Sequence, residues 1–285
     1  MTGRIVKGVA GVYDVSVEGA GIFSCPARGL FKKLGQTPIA GDLVIIDKID
    51  VDKRTAYLHE ILPRTNELVR PRAANVSQGI LVFSLVSPEA SMLMVDAMLC
   101  YMHSLEIKPI ICVNKVDLVD RARVMGIIDI YEPAGYAVRP VSAADGVGTE
   151  ALRAELSGHV TILAGPSGVG KSSLVNAMFP QFARETGALS VKIQRGKNTT
   201  RSCELLEIGG GGFLADSPGF TAFDPGLLPK EGLDLLFPEF EPFLGECYYT
   251  DCRHLSEHDC AVKEQIGQAV HTARYENYAK LANAN

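Results

Sequence analysis

No stretch of this 285-residue chain approaches the ~18–20 uninterrupted apolar residues of a membrane-spanning helix. Its N-terminus, Met1-Thr2-Gly3-Arg4, lacks the apolar run of a signal peptide. Together these absences predict a cytoplasmic protein with no membrane partner. Internal repeats and low-complexity tracts are also missing, and a chain 47% hydrophobic and 21% charged is not a disordered tail. Positive charge is not in excess: 28 Lys and Arg face 33 Asp and Glu, a net charge of −5, which argues against a protein that coats nucleic acid with its whole surface. The seven cysteines are odd in number and come without an export signal, which argues against a disulfide framework. Cys25, Cys100, Cys112 and Cys203 lie among apolar neighbours and are expected as buried thiols.

What is present fits two or three domains. Residues 1–65 carry 9 Lys/Arg against 7 Asp/Glu, residues 66–225 carry 14 against 16, and residues 226–285 carry 5 against 10. The acid is thus concentrated at the C-terminal end, while Lys192, Arg195, Lys197 and Arg201 form a local basic patch. From Arg4 to about Leu62, short alternating runs (Val9 to Val17, Gly21 to Cys25, Asp42 to Asp47, Thr55 to Ile61) predict a small all-β barrel. A polar link from Arg64 to Asn75 follows. Ile80 to Val86 and Pro109 to Val113 are continuous apolar runs of the kind found in strands buried on both faces, with helical periodicity from Met92 to Leu105 between them. This α/β alternation continues through a strand at His159 to Ala164, a helix from Gly170 to about Phe179, and strands at Cys203 to Ile208 and Gly212 to Ala215. Residues 181–200 read as a long loop. After Pro225 the chain is expected to be mostly helical, with a final helix from about Asp259 to Leu281.

Gly165-Pro166-Ser167-Gly168-Val169-Gly170-Lys171-Ser172 fits the pattern G-x-x-x-x-G-K-S/T between a strand and a helix, and Ser173 follows it. Such a loop turns backbone N–H groups inward around phosphate oxygens. Lys171 is placed to reach the β- and γ-phosphates and the Ser172 hydroxyl to ligate Mg²⁺. Asn114-Lys115-Val116-Asp117 ends an apolar strand. A carboxylate at Asp117 can accept from guanine N1–H and the exocyclic amine together, which selects GTP over ATP. Ser142-Ala143-Ala144 adds a backbone N–H for the guanine oxygen. Asp216-Ser217-Pro218-Gly219 ends another strand, where Asp216 can hold Mg²⁺ through water and the Gly219 N–H can meet the γ-phosphate. The next residue is Phe220, which cannot orient a water. The catalytic group must then come from elsewhere, and the long loop ending Lys197-Asn198-Thr199-Thr200 is its natural source. One of the two threonines completes the Mg²⁺ shell, and Asn198 faces the γ-phosphate. The catalytic candidates are therefore Asn198, Lys171 and Thr200.

These motifs occur in the order Asn114 to Asp117, Ser142 to Ala144, Gly165 to Ser172, Thr199/Thr200, Asp216 to Gly219. In an ordinary GTPase the phosphate loop comes first, so this GTPase domain is circularly permuted, a change tolerated when domain termini lie close together. Near the C-terminus, Cys247-x₄-Cys252-x-His254-x₅-Cys260 supplies three thiolates and an imidazole, the set that suits a closed structural zinc site. His258 competes as fourth ligand.

The permuted order, the Gly-Pro-Ser-Gly-Val-Gly-Lys-Ser-Ser loop, Asp-Ser-Pro-Gly-Phe and the Cys/His spacing resemble the RsgA (YjeQ/YloQ) family of small-ribosomal-subunit-dependent GTPases over nearly the whole chain. The resemblance implies an OB-fold barrel at 1–65, a circularly permuted P-loop GTPase domain at 66–225 and a zinc-binding domain at 226–285. It also implies action with GTP/GDP in late maturation of the 30S subunit, with hydrolysis stimulated by that subunit; nothing in the sequence suggests more than a monomer. The barrel and zinc domain are then expected to grip 16S rRNA. Where this family usually carries Gly-Arg-His-Thr-Thr, the present chain has Asn198, which can position a water but cannot act as a base near neutral pH. Competing readings are a GTP-dependent RNA-binding module with little hydrolysis, and a permuted GTPase serving another RNA or a protein.

Overall fold

In the computed structural model, residues 1–27, 31, 35–69, 71–185, 203–216 and 225–284 are described, with backbone alone at 183–185, 216 and 225. Two compact units emerge. One comprises Met1–Gly79, Ala151–Leu163 and Met178–Phe220; the other comprises Ile80–Glu150, Ala164–Ala177 and Thr221–Asn285.

The first unit opens with strands β1 (Thr2–Val9), β2 (Val12–Val17), β3 (Gly21–Pro26), β4 (Leu43–Asp50) and β5 (Thr55–Ile61), closed into a barrel in the order β1-β2-β3-β5-β4. Alternation drives the closure: Ile5, Val15, Phe23, Val44, Ile46 and Leu58 point inward to one apolar core. The run expected from Val9 to Val17 is broken at Ala10 and Gly11, both at positive φ, so that β1 and β2 form a hairpin. The polar stretch after the barrel is firmly tied to it. Buried Asp42 accepts from Arg64 Nε at 2.6 Å and from Nη2 at 2.9 Å, and Asn75 Nδ2 donates to Gly41 O at 3.0 Å. Within this stretch β6 (Glu67–Leu68) and β7 (Ala73–Ala74) pair antiparallel. β11 (Val160–Ala164), β13 (Gly212–Asp216) and β12 (Glu204–Gly209) follow in that order, β11 parallel and β12 antiparallel to β13. A short helix α5 (Pro180–Glu185) occupies the start of the segment expected as loop.

In the second unit β10 (Ala137–Pro140), β9 (Lys108–Asn114) and β8 (Gln78–Ser84) lie side by side, with β10 parallel to β9. Every residue of β8 is buried, as its unbroken apolar run requires. Helix α1 (Met92–Ser104) joins β8 to β9, α2 (Arg121–Tyr131) joins β9 to β10, and α4 (Lys171–Met178) follows the phosphate loop, while α3 (Thr149–Ala154) falls mostly in the first unit. Among the described residues from 225 onward are 3₁₀ turns and two helices, α6 (Ala261–Glu264) and α7 (Thr272–Ala284). One helix was expected here. The chain instead reverses at Gly267, whose φ of 81° favours glycine and whose N–H donates to Val270 O at 2.8 Å.

A buried ionic cluster joins α7 to the sheet-forming half of this unit. Arg274 donates to Asp96 on α1 at 2.5 Å and to Glu239 at 2.7 and 3.1 Å. Asn277 and Tyr131 donate to the same Asp96 at 2.6 and 2.8 Å. The guanidinium also lies 4.6 Å from the Phe237 ring centre. All four free thiols predicted to be core, Cys25, Cys100, Cys112 and Cys203, are buried.

Candidate nucleotide site and metal centre

The loop from Gly165 to Gly170 leaves the end of β11 and enters α4. Its backbone cannot be made by other residues. A Cβ on Gly165, at φ 130°, would stand 1.9 Å from Val82 O, and one on Gly170, at φ 96°, 2.4 Å from Asn114 Nδ2. Both positions therefore pack directly against β8 and β9. Lys171 folds its ammonium back over the loop, donating to Gly165 O at 2.7 Å and Pro166 O at 2.6 Å. Burial holds its pKa down at about 8. Ser167, Gly168 and Ser173 are exposed, Val169 is buried, and Pro166 and Ser172 are half-buried.

The motif segments, 29 and 55 residues from Asn114 in sequence, converge on its side chain. Its Nδ2 donates to Val169 O at 2.8 Å, and its Oδ1 accepts from Ala143 N–H at 3.1 Å. The neighbouring Lys115, in left-handed backbone at φ 63°, donates to Gly168 O at 2.8 Å and Ser87 O at 2.9 Å. Asp117 lies exposed in the 3₁₀ turn Val116–Leu118. Ser142 is buried and shapes its own turn, its Oγ accepting from Asp145 N–H at 3.2 Å. Asn114, Lys115, Ala143 and the loop from Gly165 to Lys171 are thus tied into one cluster of side-chain and backbone hydrogen bonds with an ammonium against the loop. Asp216 is the last residue of β13, opposite Glu204 in register. Asn198, Thr199, Thr200, Gly219, Phe220 and the basic patch Lys192, Arg195, Lys197 and Arg201 lie outside the described residues. Nothing in the sequence around Ser87 marks its carbonyl as a lysine's acceptor.

The second cluster is Cys247, Cys252, His254 and Cys260, whose ligand atoms all lie within 4.8 Å of one another. His254 Nδ1 is 3.5 Å from the Sγ of Cys247 and of Cys252 and 3.3 Å from that of Cys260, and Cys247 and Cys260 Sγ are 3.9 Å apart. A tetrahedral ion with bonds of about 2.3 Å to sulfur and about 2.0–2.1 Å to nitrogen requires S···S edges of about 3.8 Å and N···S edges of about 3.5 Å. The four residues therefore fit a tetrahedral metal ion. The other imidazole nitrogen of His254 faces Asp234 at 3.6 Å, the outer carboxylate common behind a metal-bound histidine. Tyr275 and Tyr278 of α7 donate to the His254 and Arg253 carbonyls at 2.8 and 2.6 Å. His258, the competing ligand, is exposed and outside the cluster.

Comparison with known proteins places both sites in context. Residues 61–225 match the RsgA GTPase family model and residues 2–57 the RsgA N-terminal domain. A small ribosomal subunit biogenesis GTPase RsgA of Ruminiclostridium cellulolyticum is 40% identical over 99% of this chain and 93% of its own. That of a Geobacillus species is 43% identical over 97% and 94%. Among solved structures, YjeQ from Thermotoga maritima has a TM-score of 0.82 at 31% identity, covering 99% of this chain and 97% of its own. YloQ, described as a circularly permuted GTPase, has a TM-score of 0.84 at 32% identity, covering 99% and 94%.

Proposed function

The chain belongs to the RsgA family of small ribosomal subunit biogenesis GTPases, and from that premise we infer that it hydrolyses GTP to GDP and phosphate in maturation of the 30S subunit, its partner. The observation that carries the reading is the placement of Asn114, which binds the phosphate loop through Val169 and the Ser142–Ala144 turn through Ala143 with one amide. Two segments, one suited to phosphate and one to a base, are thereby held in a single site.

In our reading the backbone from Gly165 to Ser173 cradles the phosphates, with Lys171 drawn off its carbonyls onto them. Asp117 and the Ala143 N–H read guanine, and the stem of Lys115 covers the base. Ser172, Asp216 and Thr199 or Thr200 hold Mg²⁺, which neutralises charge on the phosphate oxygens when bound. Gly219 meets the γ-phosphate, and Asn198 positions water. With Phe220 next to Gly219, hydrolysis is slow until the subunit completes the site. By sequence the chain divides into functional segments 1–65, 66–225 and 226–285, the last of which packs in one compact unit with Ile80–Glu150. The barrel, mildly basic in sequence, engages 16S rRNA, and the C-terminal metal is zinc, which three thiolates and an imidazole suit. We further propose that the protein works in the cytoplasm as a monomer.

Multiple-turnover phosphate release, with and without purified small subunits, tests the reading. Stimulation well above the rate of the free protein is expected. No release above background with subunits present would leave a GTP-dependent binding module instead.

A further inference from the structure

Three side chains of the barrel reach out to the β12–β13 ladder. Alternation would turn Lys7 inward beside Ile5, but the β1–β2 register slips between them, from Ile5 opposite Val15 to Lys7 opposite Asp14. Such a bulge re-aims the side chains around it, and Lys7 stands half-buried outside the apolar core. Its ammonium reaches Glu204, the first residue of β12, and donates to Oε1 at 3.0 Å. Ser16 Oγ on β2 donates to the Glu207 carboxylate, and the Arg4 guanidinium lies 5.6 Å from the ring centre of Phe213 on β13. β12 has a strand neighbour on one side only, so these contacts hold a sheet edge.

The charge at the end of the ladder decides what the lysine contact does. Glu204 and Asp216 are opposite one another in the antiparallel register. Like charges directly opposite on a ladder destabilise the pairing. Lys7 neutralises Glu204 and so relieves that opposition without engaging Asp216. β13 ends at Asp216 and leads on to Gly219, which in the proposed function meets the γ-phosphate. The groups that read the rest of the nucleotide in that function, Asn114, Asp117 and the phosphate loop from Gly165 to Lys171, all belong to the other compact unit.

We propose that Lys7 is a positioning residue for γ-phosphate recognition: by pairing with Glu204 it keeps the β12–β13 ladder closed at Asp216, so that the barrel helps the chain to tell a nucleoside triphosphate from the diphosphate. The proposal deepens the hydrolysis reading and rests on the place of Asp216 and Gly219 within it.

Affinities of the full chain for fluorescent GDP and for a fluorescent non-hydrolysable GTP analogue test it, together with hydrogen exchange on the nucleotide-free protein. Lys7→Met should weaken the analogue about threefold, the scale of a cross-strand charge pair, and leave GDP unchanged. Amides of β12 and β13 should exchange faster in the same variant. Lys7→Arg, which keeps the cation, should behave as the wild type. Adding Glu204→Gln to Lys7→Met removes the opposing carboxylate and should restore both readouts, whereas a lysine that served only to dock the barrel would not be replaced in this way. Far-UV circular dichroism reports whether each variant is folded, and Lys7→Gln takes the place of Lys7→Met if the latter is not. Equal weakening of both nucleotides, an unchanged affinity for the analogue, or no recovery in the double variant overturns the proposal. A wild type that binds neither nucleotide overturns the hydrolysis reading and the proposal with it, whereas a wild type that binds both, with Lys7→Met indistinguishable from it, overturns the proposal alone. Neither measurement requires turnover.

Discussion

Lys171 shows how a single residue carries both the legible and the illegible part of the site. Its motif marks the position without ambiguity, but the state of its ammonium depends on burial that no local pattern encodes. Without phosphate it is held by two carbonyls and its pKa sits at about 8. A bound phosphate favours the protonated form and raises that value, so nucleotide binding takes up a proton wherever the free protein has lost it. The sign follows: affinity is full below about pH 8 and falls as pH rises through it. A group with this pKa is about one quarter protonated at about pH 8.5, so GDP affinity should drop about fourfold between about pH 7 and about pH 8.5. Calorimetry in buffers of different ionisation enthalpy should show proton uptake growing over the same range. Lys171→Arg, charged throughout, should bind more weakly but with a flat profile; a sloping profile in that variant would assign the titration to another group.

Among the elements, α7 does two jobs with two faces. Tyr275 and Tyr278 hold the carbonyls of the metal loop, while Arg274 and Asn277 hold Asp96 on α1. The sequence marks half of this arrangement. Asp96 interrupts the apolar stretch from Met92 to Cys100, a sign of a buried charge needing a partner. The partner lies 178 residues away, a separation that no periodicity reports. The barrel and the parallel strands were legible because burial on one or both faces writes itself into alternation or unbroken apolar runs. The break in the final helix was not, because it rests on one glycine turn within otherwise helical composition. Removing Arg274 leaves Asp96 and Glu239 buried without their cation, a loss of about 3–5 kcal/mol for such a site. Urea denaturation of Arg274→Met should show a midpoint lowered by that much stability. A change within about 0.5 kcal/mol would mean that the cluster rearranges and that α7 is not anchored there.

For the whole molecule, the motif order predicted a permuted GTPase followed by an appended zinc domain, and the order is plain in the sequence because each motif is contiguous. Compactness is not, because it depends on contacts between distant segments. By contacts, the C-terminal residues belong with Ile80–Glu150, the half that carries Asn114, Asp117 and Ser142. Phe237, Glu239 and Arg274 are buried in that unit's interior, around the Asp96, Tyr131 and Tyr136 side chains. A chain cut after residue 225 therefore loses core, not an accessory. It would strand Asp96 in an apolar helix and expose the faces of α1 and α2 that Arg274 and Phe237 cover. The first unit keeps its barrel, its own apolar core and the Arg64–Asp42 pair. Hydrogen exchange on residues 1–225 should accordingly show native protection in β1 to β5 and greatly reduced protection in β9, β10 and α1, with guanine nucleotide binding lost. If β9 and α1 stayed protected and nucleotide bound with unaltered affinity, the base-reading half would be an independent domain, and the ionic cluster would serve only to attach the C-terminal residues to it.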